Sequence, residues 1–262
     1  ILLAGLVGDP ITKKYPQESA LINNQGVKKV IDFCSKHNVE KFIFVSTCSN
    51  YGLIKNNELA DEDYALNPLS LYAKSKVEIE NYILSLRDKA DFHPTILRFA
   101  TAFGLSPRMR YDLTVNEFTK ELFFQKPLVV YDSETWRPYC HVEDFARLIS
   151  IILDAPTKKI SYEIFNVGSS ENNYTKRMIV DEILKLLPNG KINYKKYKHG
   201  LDVRNYRVDF SKVNSVLNFK PNKTILDGIN ELLKDLDKKT FDVIEKNKNL
   251  YGNYEIAYGK SK

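Results

Sequence analysis

Lys41-Phe42-Ile43-Phe44-Val45-Ser46-Thr47-Cys48-Ser49-Asn50-Tyr51-Gly52 begins as an apolar run and ends in hydroxyl and amide side chains. The apolar part predicts a strand covered on both faces, as in a parallel sheet. Leu71-Tyr72-Ala73-Lys74-Ser75-Lys76 follows, on a helix announced by Asn67-Pro68 with Pro at an allowed first-turn position. Tyr72 and Lys76 are four apart and therefore share one helix face. A Thr or Ser hydroxyl at the strand end, facing Tyr72 with Lys76 one turn away, can move a proton. The Lys76 charge is expected to favour tyrosinate and to lower the Tyr72 pKa. The same spacing recurs at Tyr51/Lys55 and Tyr194/Lys198. Neither of those pairs has strand, hydroxyl end and helix start in order, so each reads as a solvated face.

Strand-like and helix-like segments alternate outward from this centre, which predicts a doubly wound parallel α/β sheet. Residues 17–37 read as a helix with Ala20, Val27, Val30, Ile31 and Cys34 inward, and strand 41–46 follows. The helix of about 69–87 carries Tyr72, Val77, Ile79, Ile83 and Leu86, and leads to strand 94–99. The rhythm breaks at Gly104-Leu105-Ser106-Pro107-Arg108-Met109-Arg110, where a smaller lobe is expected to begin. Helix 112–125, strand 127–131, helix 142–154 and strand 162–166 come next, the last expected to rejoin the main sheet. Helices 175–187, 211–217 and 224–236 and an extended piece at 191–197 complete the lobe. The division expected is therefore 1–104 with 139–167, then 105–138 with 168–237, then a tail over 238–262 without clear periodicity.

Composition excludes several classes. An apolar content of 43% and a charged content of 27% are ordinary for a globular enzyme. The apolar runs are far too short to span a bilayer, and no basic leader or cleavage site marks a signal peptide. Cys34, Cys48 and Cys140 show no framework or metal spacing, which fits a reducing, cytoplasmic setting and no metal. The net charge of +6 peaks at Lys195-Lys196-Tyr197-Lys198-His199, a solvated edge or a site for an anionic small molecule rather than for nucleic acid.

The ordered motifs resemble the extended short-chain dehydrogenases/reductases, the group of NAD-dependent nucleotide-sugar epimerases, dehydratases and reductases. Ile1-Leu2-Leu3-Ala4-Gly5-Leu6-Val7-Gly8 resembles that family's strand beneath the nicotinamide half of the cofactor, and Leu97–Gly104 its strand and loop after the catalytic helix. Trp136-Arg137-Pro138-Tyr139-Cys140-His141-Val142-Glu143-Asp144, Asn166-Val167-Gly168 and Asp202-Val203-Arg204 fall in the family's order.

The resemblance implies an oxidoreductase or epimerase acting at a sugar carbon, often C4, of a nucleotide sugar, in surface-polysaccharide precursor synthesis. Tyr72 would be the general acid/base, Lys76 would hold the cofactor ribose, and Thr47 would take the place of the catalytic Ser/Thr. Ala4 and Gly5 would lie along NAD (or NADP). Ser49 and Thr101 would face the sugar, with Thr101 replacing an Asn common in that loop. Arg137 and Arg204 would clamp the two phosphates, which forked guanidinium groups suit. Cys48 and Ser49 stand where 4,6-dehydratases carry Asp-Glu, so elimination is disfavoured; Cys48 reads as packing, with an acid for ring epimerisation as the other reading, His141 as a structural His at a helix start, and Asn23 with Gly26 as structural. A homodimer through helices 17–37 and 69–87 is expected.

A dinucleotide site needs a Gly-rich turn leading into a helix. No G-x-G-x-x-G turn occurs in the 262 residues, and no helical pattern is read after Gly5 and Gly8. By resemblance, roughly sixty to seventy residues of the cofactor domain are expected to precede Ile1, so that this chain alone would bind NAD poorly or not at all. The other reading is a cofactor-deficient binding or scaffold relative on the same fold.

Overall fold

Phe42 and Phe44 point to one side of the central sheet and Ile43 to the other, so the apolar run beginning at Lys41 is buried on both faces. The computed structural model describes residues 1–37, 39–54, 58–87, 89, 92–196, 204–240 and 249–256. Helices α1 (Asp9–Lys14), α2 (Pro16–Ser19) and α3 (Val27–Lys36) precede strand β1 (Lys41–Thr47), and a π-helical stretch, Ala20–Gly26, joins α2 to α3. Then come β2 (Leu59–Ala60), α4 (Leu71–Leu84), β3 (His93–Phe99), β4 (Thr101–Phe103), α5 (Thr114–Phe123), β5 (Leu128–Tyr131) and β6 (Trp136–His141). The remaining elements are α6 (Val142–Asp154), β7 (Glu163–Val167), β8 (Asn173–Thr175), α7 (Lys176–Leu186), β9 (Ile192–Lys195), β10 (Arg207–Val208), α8 (Ser211–Leu217) and α9 (Ile225–Asp237).

The main sheet has the order β1-β3-β7, all parallel, with Lys41 opposite His93 and Thr95 opposite Glu163. Helices α3 and α4 cover one face through Val27, Ile31, Ile79 and Ile83. Helices α6 and α8 cover the other through Leu148, Ile152, Val213 and Leu217. This is the doubly wound, Rossmann-like α/β arrangement that the alternation predicts. A second core, with Met109, Phe118, Val130, Ile179, Ile229 and Leu232, joins α5, α7 and α9 with the short sheets β4-β6-β8 and β5-β9. Among the described residues, no helix is long and apolar enough to cross a membrane.

The structure departs from the sequence reading near the start of the chain. Helical structure begins directly after Gly8, contrary to expectation: Pro10 sits in the first turn of α1, where its missing N–H costs nothing, and Ile11 and Thr12 are buried. Six residues are too few to show a helical period. The inward stripe also differs. Ser19, Asn23, Val27 and Ile31 face in, whereas Ala20 and Val30 are exposed, because the wider i→i+5 turn of the π stretch re-phases the face. The opening segment, read as a core strand, makes only a bridge from Leu2 to Phe44, with Ile1 and Leu3 exposed on its other side.

Candidate functional site

Thr47 ends β1 in extended conformation, and its side chain caps the turn that follows by accepting from Ser49 N at 3.2 Å. The Thr47 and Ser49 hydroxyls lie 3.0 Å apart. This turn is pressed against the approach to α4. A Cβ on Gly52 would stand 2.0 Å from the Asn67 carbonyl oxygen, and Gly52 adopts φ 70, so only glycine fits. Helix α4 starts at Leu71 rather than at Pro68, because the Ser70 hydroxyl caps it by accepting from Ala73 N at 3.1 Å.

On α4, the Lys76 ammonium lies 5.8 Å from the centre of the Tyr72 ring and 4.6 Å from that of Phe44. It donates to the Val45 carbonyl at 2.7 Å. Burial pushes the Lys76 pKa down to about 8, with Glu80 pulling it back upward. The Tyr72 hydroxyl has no hydrogen-bond partner among the described residues. Its pKa is raised, first by burial, then by the negative charge of Asp9, against which Arg110 acts, and by Tyr206. The expectation that Lys76 lowers the Tyr72 pKa is thus corrected: loss of water dominates, and the ammonium is turned to a backbone carbonyl.

Behind the strand end lies a buried polar network. The Glu80 carboxylate accepts from Asn50 Nδ2 at 2.8 Å, from Arg98 Nη2 at 2.8 Å and from the Ser46 hydroxyl. Arg98 also donates to the Tyr51 hydroxyl at 3.0 Å, and Tyr51 donates to Asn166 Oδ1 at 2.7 Å. Cys48 is buried with its thiol directed at the Arg98 carbonyl, 3.1 Å away, and burial drives its pKa up. A thiol so placed stays neutral and serves packing. Glu80 continues the Tyr72–Lys76 face by one further turn, a periodicity that could have marked it in the sequence. Asp9, Arg110 and Tyr206 reach Tyr72 from distant parts of the chain and carry no such local signal.

Arg137 is buried, donates to the Trp136 carbonyl at 2.7 Å and to the Arg204 carbonyl, and stacks over Tyr206 at 5.0 Å. The Arg204 guanidinium pairs with Asp9 at 2.6 Å. Asp202, Val203 and Lys198 lie outside the described residues. A cavity of about 720 Å³ is lined by Leu53, Ser133, Thr135, Arg177, Tyr194 and Asn205, the last the chain neighbour of Arg204. Arg177 stacks on Tyr194 there at 4.2 Å. Thr101 opens β4 opposite Tyr139, and its hydroxyl has no hydrogen-bond partner among the described residues. His141 caps α6 and bonds Glu231 at 2.9 Å, a structural placement. The structure therefore brings together Thr47 with Ser49, Tyr72 with Lys76, and Arg137 with Arg204; Thr101 stands apart from these contacts.

Ala4 and Gly5 are exposed. Gly5 has φ 154, and Asn23 holds the next residue by accepting from Leu6 N at 2.8 Å and donating to Leu6 O at 2.9 Å. For a dinucleotide, the donor set fits one end: Lys76 has two ammonium hydrogens uncommitted among the described residues, and the Tyr72 hydroxyl is open. The Gly-rich turn for the pyrophosphate is not in the sequence. Among the described residues, no group of three His, Cys, Asp or Glu side chains could hold a metal ion.

Comparison with known proteins agrees with this geometry. The chain is 27% identical over 214 residues to an uncharacterized UDP-glucose epimerase, YtcB, of Bacillus subtilis, covering 79% of this chain and 64% of that protein. It is 26% identical over 211 residues to the UDP-glucuronate 4-epimerase of Thermodesulfobacterium geofontis, covering 79% and 62%. The chain thus spans under two thirds of the length of these relatives. Its fold is that of the UDP-glucose 4-epimerase of Thermotoga maritima, with a TM-score of 0.81 at 23% identity over 91% of this chain and 76% of that one. MoeE5, solved in complex with UDP-glucuronic acid and NAD, gives 0.79 at 23% identity over 90% and 78%. The model of the NAD dependent epimerase/dehydratase family matches residues 1–168, so the chain belongs to that family.

Proposed function

We propose that this chain carries the catalytic face of an NAD-dependent nucleotide-sugar epimerase or dehydrogenase acting at C4 of the sugar. The observation that carries the reading is the Tyr72 hydroxyl, without a partner among the described residues, on the same helix face as a half-buried Lys76 that bonds Val45 in β1. When bound, NAD (or NADP) supplies the hydride acceptor; Lys76 and the Ala4–Gly5 backbone would hold its nicotinamide–ribose end. Tyr72 takes the proton of the sugar hydroxyl and gives it back, and Thr47 hydrogen-bonds the same oxygen. Ser49 and Thr101 face the sugar. Arg137 and Arg204 hold the diphosphate, which places the nucleoside in the cavity that Asn205 lines. Elimination of the dehydratase type is disfavoured, because Cys48 is neutral and buried and Ser49 supplies no charge.

In this reading residues 1–104, rejoined by 139–167, form the cofactor side, and 105–138 with 168–237 the substrate lobe. Its setting is cytoplasmic synthesis of surface-polysaccharide precursors. Leu21, Val30, Phe33 and Leu71, exposed on the two helices, support a homodimer through that surface. The decisive experiment is turnover of UDP-, GDP-, CDP- and dTDP-sugars by the full-length gene product with NAD, scored for C4 epimer or ketone. Product from any of them that disappears in Tyr72→Phe is the expected result. Tight nucleotide-sugar binding with neither NAD binding nor product would favour the cofactor-deficient scaffold reading instead.

A further inference from the structure

Residues 249–256 lie across two loops, the Val7–Gly8 turn that leads into α1, which packs against α4, and the Arg108–Asp112 loop. The Tyr251 carbonyl accepts from Tyr111 N at 2.8 Å, and the two rings meet with centroids 6.1 Å apart. Asn253 then reaches both loops at once. Its Nδ2 donates to the Val7 carbonyl at 2.8 Å. Its Oδ1 accepts from Arg108 Nη2 at 3.0 Å, and its backbone N donates to Asp112 Oδ2 at 3.1 Å. Gly252 O takes a further bond from Arg108 at 3.3 Å. The pair Lys14–Glu255 at 2.9 Å is solvent-exposed and holds little by itself. The grip of the segment comes from Tyr251, Gly252 and Asn253, and only Asn253 reaches both loops.

Each loop carries a charge that acts on Tyr72. Val7 leads into Gly8 and Asp9, and Asn23 fixes Leu6 on the other side of that turn. Asp112 holds the Arg110 guanidinium with two bonds, Nε at 2.6 Å and Nη2 at 2.7 Å. Arg110 is thus one carboxylate away from the Asn253 backbone N–H, which the side-chain bonds to Val7 and Arg108 hold in place, and Asp9 is two residues from the carbonyl that the Asn253 amide binds. The two charges act on Tyr72 with opposite sign.

We propose that Asn253 is a positioning residue, tying the sugar-side loop at Arg108–Asp112 to the Val7–Gly8 turn and thereby fixing Arg110 and Asp9 on the flanks of Tyr72. The inference rests on Tyr72 being the proton-transfer group. Its test is a double-mutant cycle in the full-length protein. Asn253→Leu keeps the volume and removes the amide, and should lower kcat about ten- to a hundredfold, the scale of a small misplacement at a reacting centre. The KM for NAD should stay within about twofold of the parent, because the dinucleotide meets other residues. Arg110→Gln should lose a similar factor. If Asn253 acts through Arg110, the double variant falls no further than R110Q alone. Should N253L fail to fold, Arg108→Gln removes the Oδ1 bond from the other side and enters the same cycle. Glu255→Gln, which breaks only the exposed pair, should leave kcat at the parent value. Parent-like kcat in N253L, or losses that multiply in the double variant, would overturn the proposal. A Tyr72→Phe protein with normal kcat would instead sink the reading of Tyr72 itself, whatever N253L does.

Discussion

The two ends of one face of α4 handle charge in opposite ways. At Glu80 every charge is matched: the carboxylate takes bonds from Ser46, Asn50 and Arg98, and the Arg98 and Glu80 side chains are 4% and 1% exposed. Two turns earlier, Tyr72 has an open hydroxyl and Lys76 has spent one donor on a carbonyl. Low dielectric makes an unmet polar group costly, so a fold meets those it needs for itself. The groups at Tyr72 and Lys76 that have no partner among the described residues are those that the proposed function assigns to a ligand. In the proposed function the charge-matched end is scaffold and the open end is chemistry.

The largest effect that would break this contrast is at the open end. Tyr72→Phe keeps the ring and should cost about 10²–10⁴-fold in kcat with the melting temperature nearly unchanged, as removal of a general acid–base group does. A variant that melts early and still turns over would reverse the assignment. The saturated end should respond the other way. Glu80→Ala strands the Arg98 guanidinium and should destabilise the chain by about 3–5 kcal/mol in urea titration. An unchanged midpoint would show that the network carries no stability. A smaller effect is expected at the arginines. Arg137→Ala should raise the KM for nucleotide sugar by the equivalent of about 1.5–3 kcal/mol, well beyond any change for NAD. Equal losses for both ligands would remove Arg137 from the diphosphate.

The smallest effect is a pH dependence of stability. Lys76 titrates near pH 8 in the fold and near its ordinary 10.5 when unfolded. Between these values the unfolded chain binds the extra proton, so stability rises with pH from about 8. Near pH 10 the tyrosines Tyr51, Tyr72 and Tyr111 begin to oppose it, because their folded pKa values are raised. The gain from pH 8 to 10 should be on the order of 2 kcal/mol, and Lys76→Met should flatten it. A Lys76→Met chain with the parent's pH slope would assign that slope to other groups.

Much of this was legible in the residues. The apolar runs of β1 and β3 and the four-residue spacing on α4 depend on local pattern, and local pattern survives into the fold. The Tyr72 pKa did not, because its direction is set by burial and by Asp9 and Tyr206, which only the tertiary structure brings near. The turn of Lys76 toward Val45 is equally invisible in a spacing. Helix α1 is too short to show a period, and the π stretch after it shifts the stripe that a regular helix would present. Asn253 sits in a stretch without periodicity, where its three contacts come from sequence positions far apart.

The order β1-β3-β7 also has a consequence for how the molecule forms. Strand β3 lies in the middle of the sheet, yet its second partner, β7, arrives only after α5, β5, β6 and α6 have been made. During synthesis β1 and β3 can pair early, while the stretch from Thr95 to Phe99 presents an open parallel edge until the later chain returns. Such non-local pairing is slow, and an open apolar edge recruits other chains while it waits. The hazard to this protein's yield therefore lies in the central strand of its main sheet, and in the interval before β7 pairs with it.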